Sequence, residues 1–216
     1  GGGGSAATGV KNTITVVTSS EVPVDDLVIS TDDQVGVAIQ IVKNPATHRL
    51  GLFVGLGTKV HVYDLPSGEL VQQVSVGENV NAIAINSLSS RLAVGCESGT
   101  VKVFALDQDP TVDNDNNDEP MATLEGHTKA VCAVAFALRG QDRLVSSAKD
   151  GTARVWQGQD CLGVLECSID DPKAPPQKRQ QQILVRGCAF GDLMGDVVYS
   201  VASGRRGKAF LSRWIA

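Results

Sequence analysis

Apolar and polar residues alternate most clearly between Ala130 and Cys167. There AVCAVAFAL (130–138) is followed by DRLVSSA (142–148), TARVWQG (152–158) and CLGVLEC (161–167). The first run is almost continuously apolar, the later ones alternate, and KDGT between the second and third is a hairpin turn. This pattern predicts a four-stranded antiparallel unit whose first strand is innermost and buried on both faces. The order recurs one unit earlier as NVNAIAINS, SRLAVGC, GTVKVFAL and PMATLEG, and before that as VGVAIQIV, HRLGLFVG, KVHVYDL and LVQQVSV. After the clearest unit come RGCAFGD, DVVYSVA and AFLSRWI.

In each unit the third strand ends on an aromatic: Tyr63, Phe104, Trp156 and Trp214, at separations of 41, 52 and 58 residues. A period near 40 fits the four-stranded blade of a β-propeller, and the excess belongs to loops. Two stretches supply it, the acidic run 107–120 and SIDDPKAPPQKRQQQ (168–182), both solvated in composition and poor in strand formers. The expected fold is therefore an all-β propeller. Three complete blades span 35–76, 77–124 and 125–167, with partial blades at 1–34 and 183–216. A closed ring needs about 4 to 8 blades, so the chain reads as an incomplete propeller.

Composition narrows the functional classes. The chain has 216 residues, 42% apolar and only 4% aromatic, with 23 glycines. Few rings and many turn residues suit short strands and tight turns. The net charge of -5 is local, because six of the 24 acids lie in 107–120 and the remaining 18 nearly balance 19 lysines and arginines. No basic face for nucleic acid or an anionic membrane is evident, although Arg205, Arg206, Lys208 and Arg213 cluster near the end. The longest apolar run, Ala130 to Leu138, is too short for a membrane helix. The five cysteines are odd in number, lack CxxC spacing and sit in or beside apolar runs, which reads as free thiols.

The motif GH at Gly126 and His127, with DGTARVW from Asp150 to Trp156, resembles the WD-repeat family. That resemblance implies a hydrogen-bonded network of His127, Ser146, Asp150 and Trp156 inside one blade, and seven blades in a complete ring. A buried imidazole, hydroxyl, carboxylate and indole must satisfy one another in a dry interior. The preceding blades place Ser98 with Phe104, and Gly57 with Tyr63, at the Asp and Trp positions, so they are expected to rely on apolar packing. No nucleophile elbow or oxyanion glycine pattern surrounds Ser146, which argues against a hydrolase.

Before the first strand-like run, TITVV, stands GGGGSAATGVKN, Gly1 to Asn12. Successive glycines can bring backbone carbonyls and N–H groups around an ion or a partner. The segment lacks the GK[ST] ending of a P-loop, and GGGGS is also the composition of a flexible linker. The glycine run with TGVKN, the following strand and the ending RGCAFG…VVYSVASGRRGKAFLSRW together resemble the Sec-twelve type exchange factors of the small GTPase Sar, the prolactin regulatory element-binding type included. The resemblance implies that Gly1, Gly2, Gly3, Gly4, Thr8, Gly9, Val10 and Asn12 form a loop that contacts the GTPase and holds a potassium ion on its backbone. It also implies exchange activity that makes or breaks no bond, COPII coat assembly, and residence on the cytosolic face of the endoplasmic reticulum through an anchor outside this chain. The chain departs from the loop motif at Ala7. The alternative, implied by the similarly built phosphate transporter traffic facilitators, is a non-catalytic WD-repeat scaffold.

Overall fold

The computed structural model describes residues 12–17, 27–32, 34–45, 47–106, 119–139, 142–170, 180–204 and 209–215. Residues 1–11, most of the acidic run and the centre of 168–182 lie outside the described residues. Among those described there is no helix, and every element is an antiparallel strand.

Three sheets have four strands in simple meander order. The first holds β3(Gly36–Lys43), β4(Leu50–Leu56), β5(Lys59–Leu65) and β6(Leu70–Ser75). The second holds β7(Val80–Ile85), β8(Arg91–Cys96), β9(Val101–Ala105) and β10(Ala122–Leu124), and the third β11(Val131–Phe136), β12(Arg143–Ala148), β13(Thr152–Gln157) and β14(Asp160–Glu166). A three-stranded sheet, β17(Leu184–Phe190), β18(Val197–Ser203) and β19(Ala209–Ile215), follows, and the pair β1(Asn12–Val16) and β2(Leu27–Asp32) precedes. The inner strands β3, β7, β11 and β17 lie successively beside one another, so the sheets are arranged as the blades of a propeller.

The hydrophobic core lies between blades. Phe53, Val60, Val62 and Val74 of the first complete blade pack against Val80, Leu92, Val94 and Phe104 of the second. Val101, Val103 and Leu124 of the second meet Val131, Leu144 and Trp156 of the third. One residue position governs how closely blades approach. A Cβ on Gly55 would lie 2.7 Å from Val80 Cγ1, and one on Gly95 would lie 2.5 Å from Val131 Cγ1, so each glycine admits the first valine of the next inner strand. Each inner strand also carries a bulge near its start, for example between Val131 and Ala133. Bulges tighten the local twist.

Two expectations change. The inner strands are not buried on both faces: in β11 only Val131 and Val134 are fully buried, while Cys132, Ala133, Ala135 and Phe136 are half-buried. An inner strand has sheet on its outward edge alone, and its faces are covered only where a neighbouring blade reaches them. In β3, Val37, Ile39 and Ile41 stay exposed because β1 and β2 pack through Ile14, Val16, Leu27 and Ile29 against Leu52, Val54 and Tyr63 of β4 and β5. The second change is at 168–182, where Ser168–Asp170 (β15) pairs with Gln180–Gln182 (β16) instead of forming only loop. The Ile183 N–H donates to the Cys167 carbonyl, which holds the two ends side by side and lets pairing continue outward despite low strand propensity.

Candidate functional site

The residues singled out by the repeat motif come together in the third complete blade. His127 lies on the connection entering β11, Ser146 on β12, Asp150 on the β12–β13 turn and Trp156 on β13. Trp156 Nε1 donates to Ser146 Oγ over 2.8 Å, and Ser146 Oγ lies 2.8 Å from His127 Nε2. His127 Nδ1 is 3.1 Å from Asp150 Oδ2. The indole is a donor only, so the hydrogen-bond network assigns the serine hydroxyl as donor to Nε2 and places the imidazole proton on Nδ1, facing the carboxylate.

Thr152 completes the group. Its hydroxyl and backbone N–H both donate to Asp150 Oδ1, at 2.8 and 2.9 Å, and the Thr128 N–H donates to Oδ2 at 3.0 Å. Burial pushes the His127 imidazole below the ordinary histidine range, outweighing the opposing pull of Asp150. Burial also pushes the Asp150 carboxyl upward, but the hydrogen bonds from Thr152 and Thr128 outweigh it and hold the group below the usual carboxylate range. A neutral imidazole on an ionised carboxylate satisfies every polar atom of the set. Ser146 is fully buried and its oxygen receives the indole, so the group fastens two turns to two strands and offers no nucleophile to solvent.

Two related networks were not anticipated. In the last blade Trp214 Nε1 donates to Ser200 Oγ at 2.9 Å, and Cys167 Sγ lies 3.7 Å from the same oxygen. Ser200 and Trp214 repeat the Ser146 and Trp156 pair, with a thiol where the histidine stands. In the second blade, expected to rely on apolar packing, Phe104 and Val94 are indeed fully buried. Above them, however, Glu78 takes the histidine's place and pairs with Lys102 at 2.9 Å, and Lys102 Nζ also donates to the Val76 carbonyl at 2.9 Å. Lys102 and the Ser98 hydroxyl hold the Glu78 carboxyl below its usual range. The sequence signal was a glutamate directly after the repeat glycine, Gly77, as His127 follows Gly126.

The glycine-loop residues Gly1, Gly2, Gly3, Gly4, Thr8, Gly9 and Val10, with the potassium site assigned to them, lie outside the described residues. Asn12 opens β1 as a buried residue and pairs with Asp32 across a bulge. Among the described residues no three histidine, cysteine or acidic side chains gather as metal ligands. No helix among them is long and apolar enough to cross a membrane.

Comparison with known proteins agrees with this geometry. The WD domain G-beta repeat model matches residues 68–104 and 118–157. Periodic tryptophan protein 2 of Saccharomyces cerevisiae is 32% identical over 115 residues, covering 52% of this chain and 11% of that protein. Ribosome biogenesis protein YTM1 of Scheffersomyces stipitis is 22% identical over 125 residues, covering 58% and 26%. WD repeat-containing protein 91 homolog of Dictyostelium discoideum is 28% identical over 82 residues, covering 38% and 9%. The chain thus spans about a tenth to a quarter of these relatives. A chain in the crystal structure of the mitotic checkpoint complex superposes with a TM-score of 0.58 at 18% identity, over 81% of this chain and 47% of that one, a likeness of fold alone. The chain thus carries WD repeats at 68–104 and 118–157 within a WD-repeat propeller fold.

Proposed function

We propose that the protein is a non-catalytic WD-repeat scaffold that holds partner proteins during the assembly of a larger complex. The observation that carries this reading is where the polar chemistry is used. The histidine, serine, aspartate and tryptophan resembling a reactive constellation are buried and mutually satisfied, while the turns at the blade ends are exposed. Function on such a fold resides in surfaces grafted onto a rigid body. One of the relatives above is named a ribosome biogenesis protein, which supports work in particle assembly. Native gradient sedimentation of the tagged full-length protein tests the reading. A scaffold sediments well ahead of its own mass and shifts back when complexes are dissociated by salt; migration at its own mass in fresh lysate contradicts it.

A second reading rests on the glycine segment and the chain's resemblance to the Sar exchange factors. In it Gly1 to Asn12 presses on the nucleotide site of a Sar-type GTPase, whose loaded form starts COPII assembly on the endoplasmic reticulum. An exchange factor that prefers the nucleotide-free GTPase weakens nucleotide binding by the same factor. Nucleotide release from the purified GTPase separates this reading from the scaffold.

A further inference from the structure

The turns joining the first and second strands of the last three blades lie on the end opposite the His127 network, and they are laced together. Ser87 Oγ donates to the Leu138 carbonyl at 2.8 Å, and the Arg139 N–H donates to the Leu193 carbonyl at 2.8 Å. Each turn displays a large aliphatic side chain. Leu88, Leu138, Leu193 and Met194 are 64, 60, 47 and 54% exposed, although turn positions favour small or polar residues. A hollow of about 730 Å³ between the first two turns is lined by Leu88, Phe136, Ala137 and Leu138 together with polar residues that include Arg91, Arg139 and Asp142. A second hollow, of about 170 Å³, reaches Ser89 of the first turn and is lined by apolar residues such as Val42, Phe53 and Leu106 together with Tyr63, Arg49 and Asp64.

The charges on this face are unequal. Asp142 is paired with Arg91, and Asp196 accepts from Arg143 at 2.7 Å. Asp192 is engaged by the backbone N–H groups of Val197, Met194 and Asp196. Arg139, exposed in the same hollow as the Arg91–Asp142 pair, takes part in none of these ion pairs.

We propose that this row of turns, Leu88, Leu138, Leu193 and Met194 with Arg139, is a docking surface for an amphipathic α-helix of a protein partner that carries an aliphatic stripe and a carboxylate. The proposal rests on the scaffold reading and names the kind of partner. Strand addition is disfavoured because the backbone here is already paired within the turns: Asn86 N–H to Arg91 O, Ala137 N–H to Arg143 O and Gly191 N–H to Val197 O. A polyproline segment would need an aromatic-lined groove, and Phe136 is the one aromatic among the residues lining the larger hollow, the others being aliphatic or polar. An anionic membrane would need several free cations, whereas Arg91 and Arg143 are committed to aspartates. A helix meets a row of aliphatic knobs with side chains at i, i+3 or i+4, and i+7, and its acid meets Arg139.

The test is selection of a displayed library of amphipathic helical peptides on the full-length protein. The probes are then the enriched synthetic peptides, titrated against wild type, Leu138→Asp, Leu88→Asp and Arg139→Glu. These are exposed turn positions, and circular dichroism checks that each variant stays folded. The expected result is enrichment of peptides with an aliphatic stripe and an acid, with binding weakened roughly tenfold or more by Leu138→Asp and Leu88→Asp. Arg139→Glu should weaken binding likewise and be rescued by changing the peptide's acid to lysine. Equal affinity for wild type and variants overturns the proposal and leaves the scaffold reading intact, as does failure to enrich a striped peptide while the protein still sediments in a large complex. Flotation with phosphatidylserine vesicles that is lost in Leu138→Asp assigns the face to a membrane. Self-association lost in the same variant assigns it to a second copy, and either result overturns the proposal.

Discussion

Gly95 of β8 faces Val131 of β11 so closely that a methyl group on the glycine would stand 2.5 Å from the valine Cγ1. The valine is fully buried, so the contact is a joint between the second and third complete blades. Gly55 and Val80 form the same joint one blade earlier. A propeller of meander sheets has no hydrogen-bonded ladder from blade to blade, and its rigidity depends on such packing.

Gly95→Ala is therefore expected to destabilise by about 1 to 3 kcal/mol through overpacking. Denaturant unfolding measures it. Val131→Ala in the same chain should recover part of the loss, because it removes the clashing methyl groups.

Asp150→Ala strips four donors of their acceptor, the Thr128 and Thr152 N–H groups, the Thr152 hydroxyl and His127 Nδ1. Leaving buried donors unpaired costs roughly 1 to 3 kcal/mol. Asp150→Asn should be milder, since it keeps one carbonyl oxygen. An unchanged denaturation midpoint in the alanine variant would mean that the network does not hold the blade.

Trp156→Phe and Trp214→Phe separate the two serine–indole pairs. Trp156 is buried in the full network, whereas Trp214 is half-buried and its serine meets a thiol. Trp156→Phe should cost about 1 to 3 kcal/mol and Trp214→Phe about 1 or less. Equal effects in a thermal scan would contradict the difference in burial.

Much of this site was legible in the sequence because its parts recur at fixed offsets within one repeat. His127 follows a glycine, Ser146 sits in an apolar strand, Asp150 begins a DGT turn and Trp156 ends the next strand. The Glu78 and Lys102 pair was legible only in part: the glutamate after Gly77 marks the histidine's place, but two charged residues separated by most of a repeat read as solvated surface, and only the fold brings them within 2.9 Å. Nor did strand alternation reveal that Gly55 and Gly95 serve the next blade, because periodicity reports on one strand at a time. The β15 and β16 pairing escaped notice for the opposite reason: the glutamines have no strand preference, and closure of the chain ends imposes the pairing.

Stability should fall on acidification in a direction fixed by the histidines. His127 is held by burial below its unfolded value of about 6.5. His61 is lowered too, by burial and then by Lys59. As pH drops below about 6.5 the unfolded chain binds protons that the folded chain refuses, so stability is present above that pH and is lost as pH falls toward the folded value. Asp150, held low, adds a further loss only below about pH 4. The slope per proton is at most about 1.4 kcal/mol per pH unit. Urea unfolding from pH 8 to 5 should show it, and His127→Gln should flatten it; stability that rises toward pH 5 would contradict the assignment of a neutral His127.

The most direct measurement of the central claim is nucleotide release from a Sar-type GTPase, followed by a fluorescent GDP analogue, with and without the full-length protein. The scaffold account predicts the same release rate in both, and no difference between wild type and a variant carrying Gly2→Val and Gly3→Val. Release accelerated by wild type and restored to the spontaneous rate in that variant would contradict the account and establish the glycine segment as the active element.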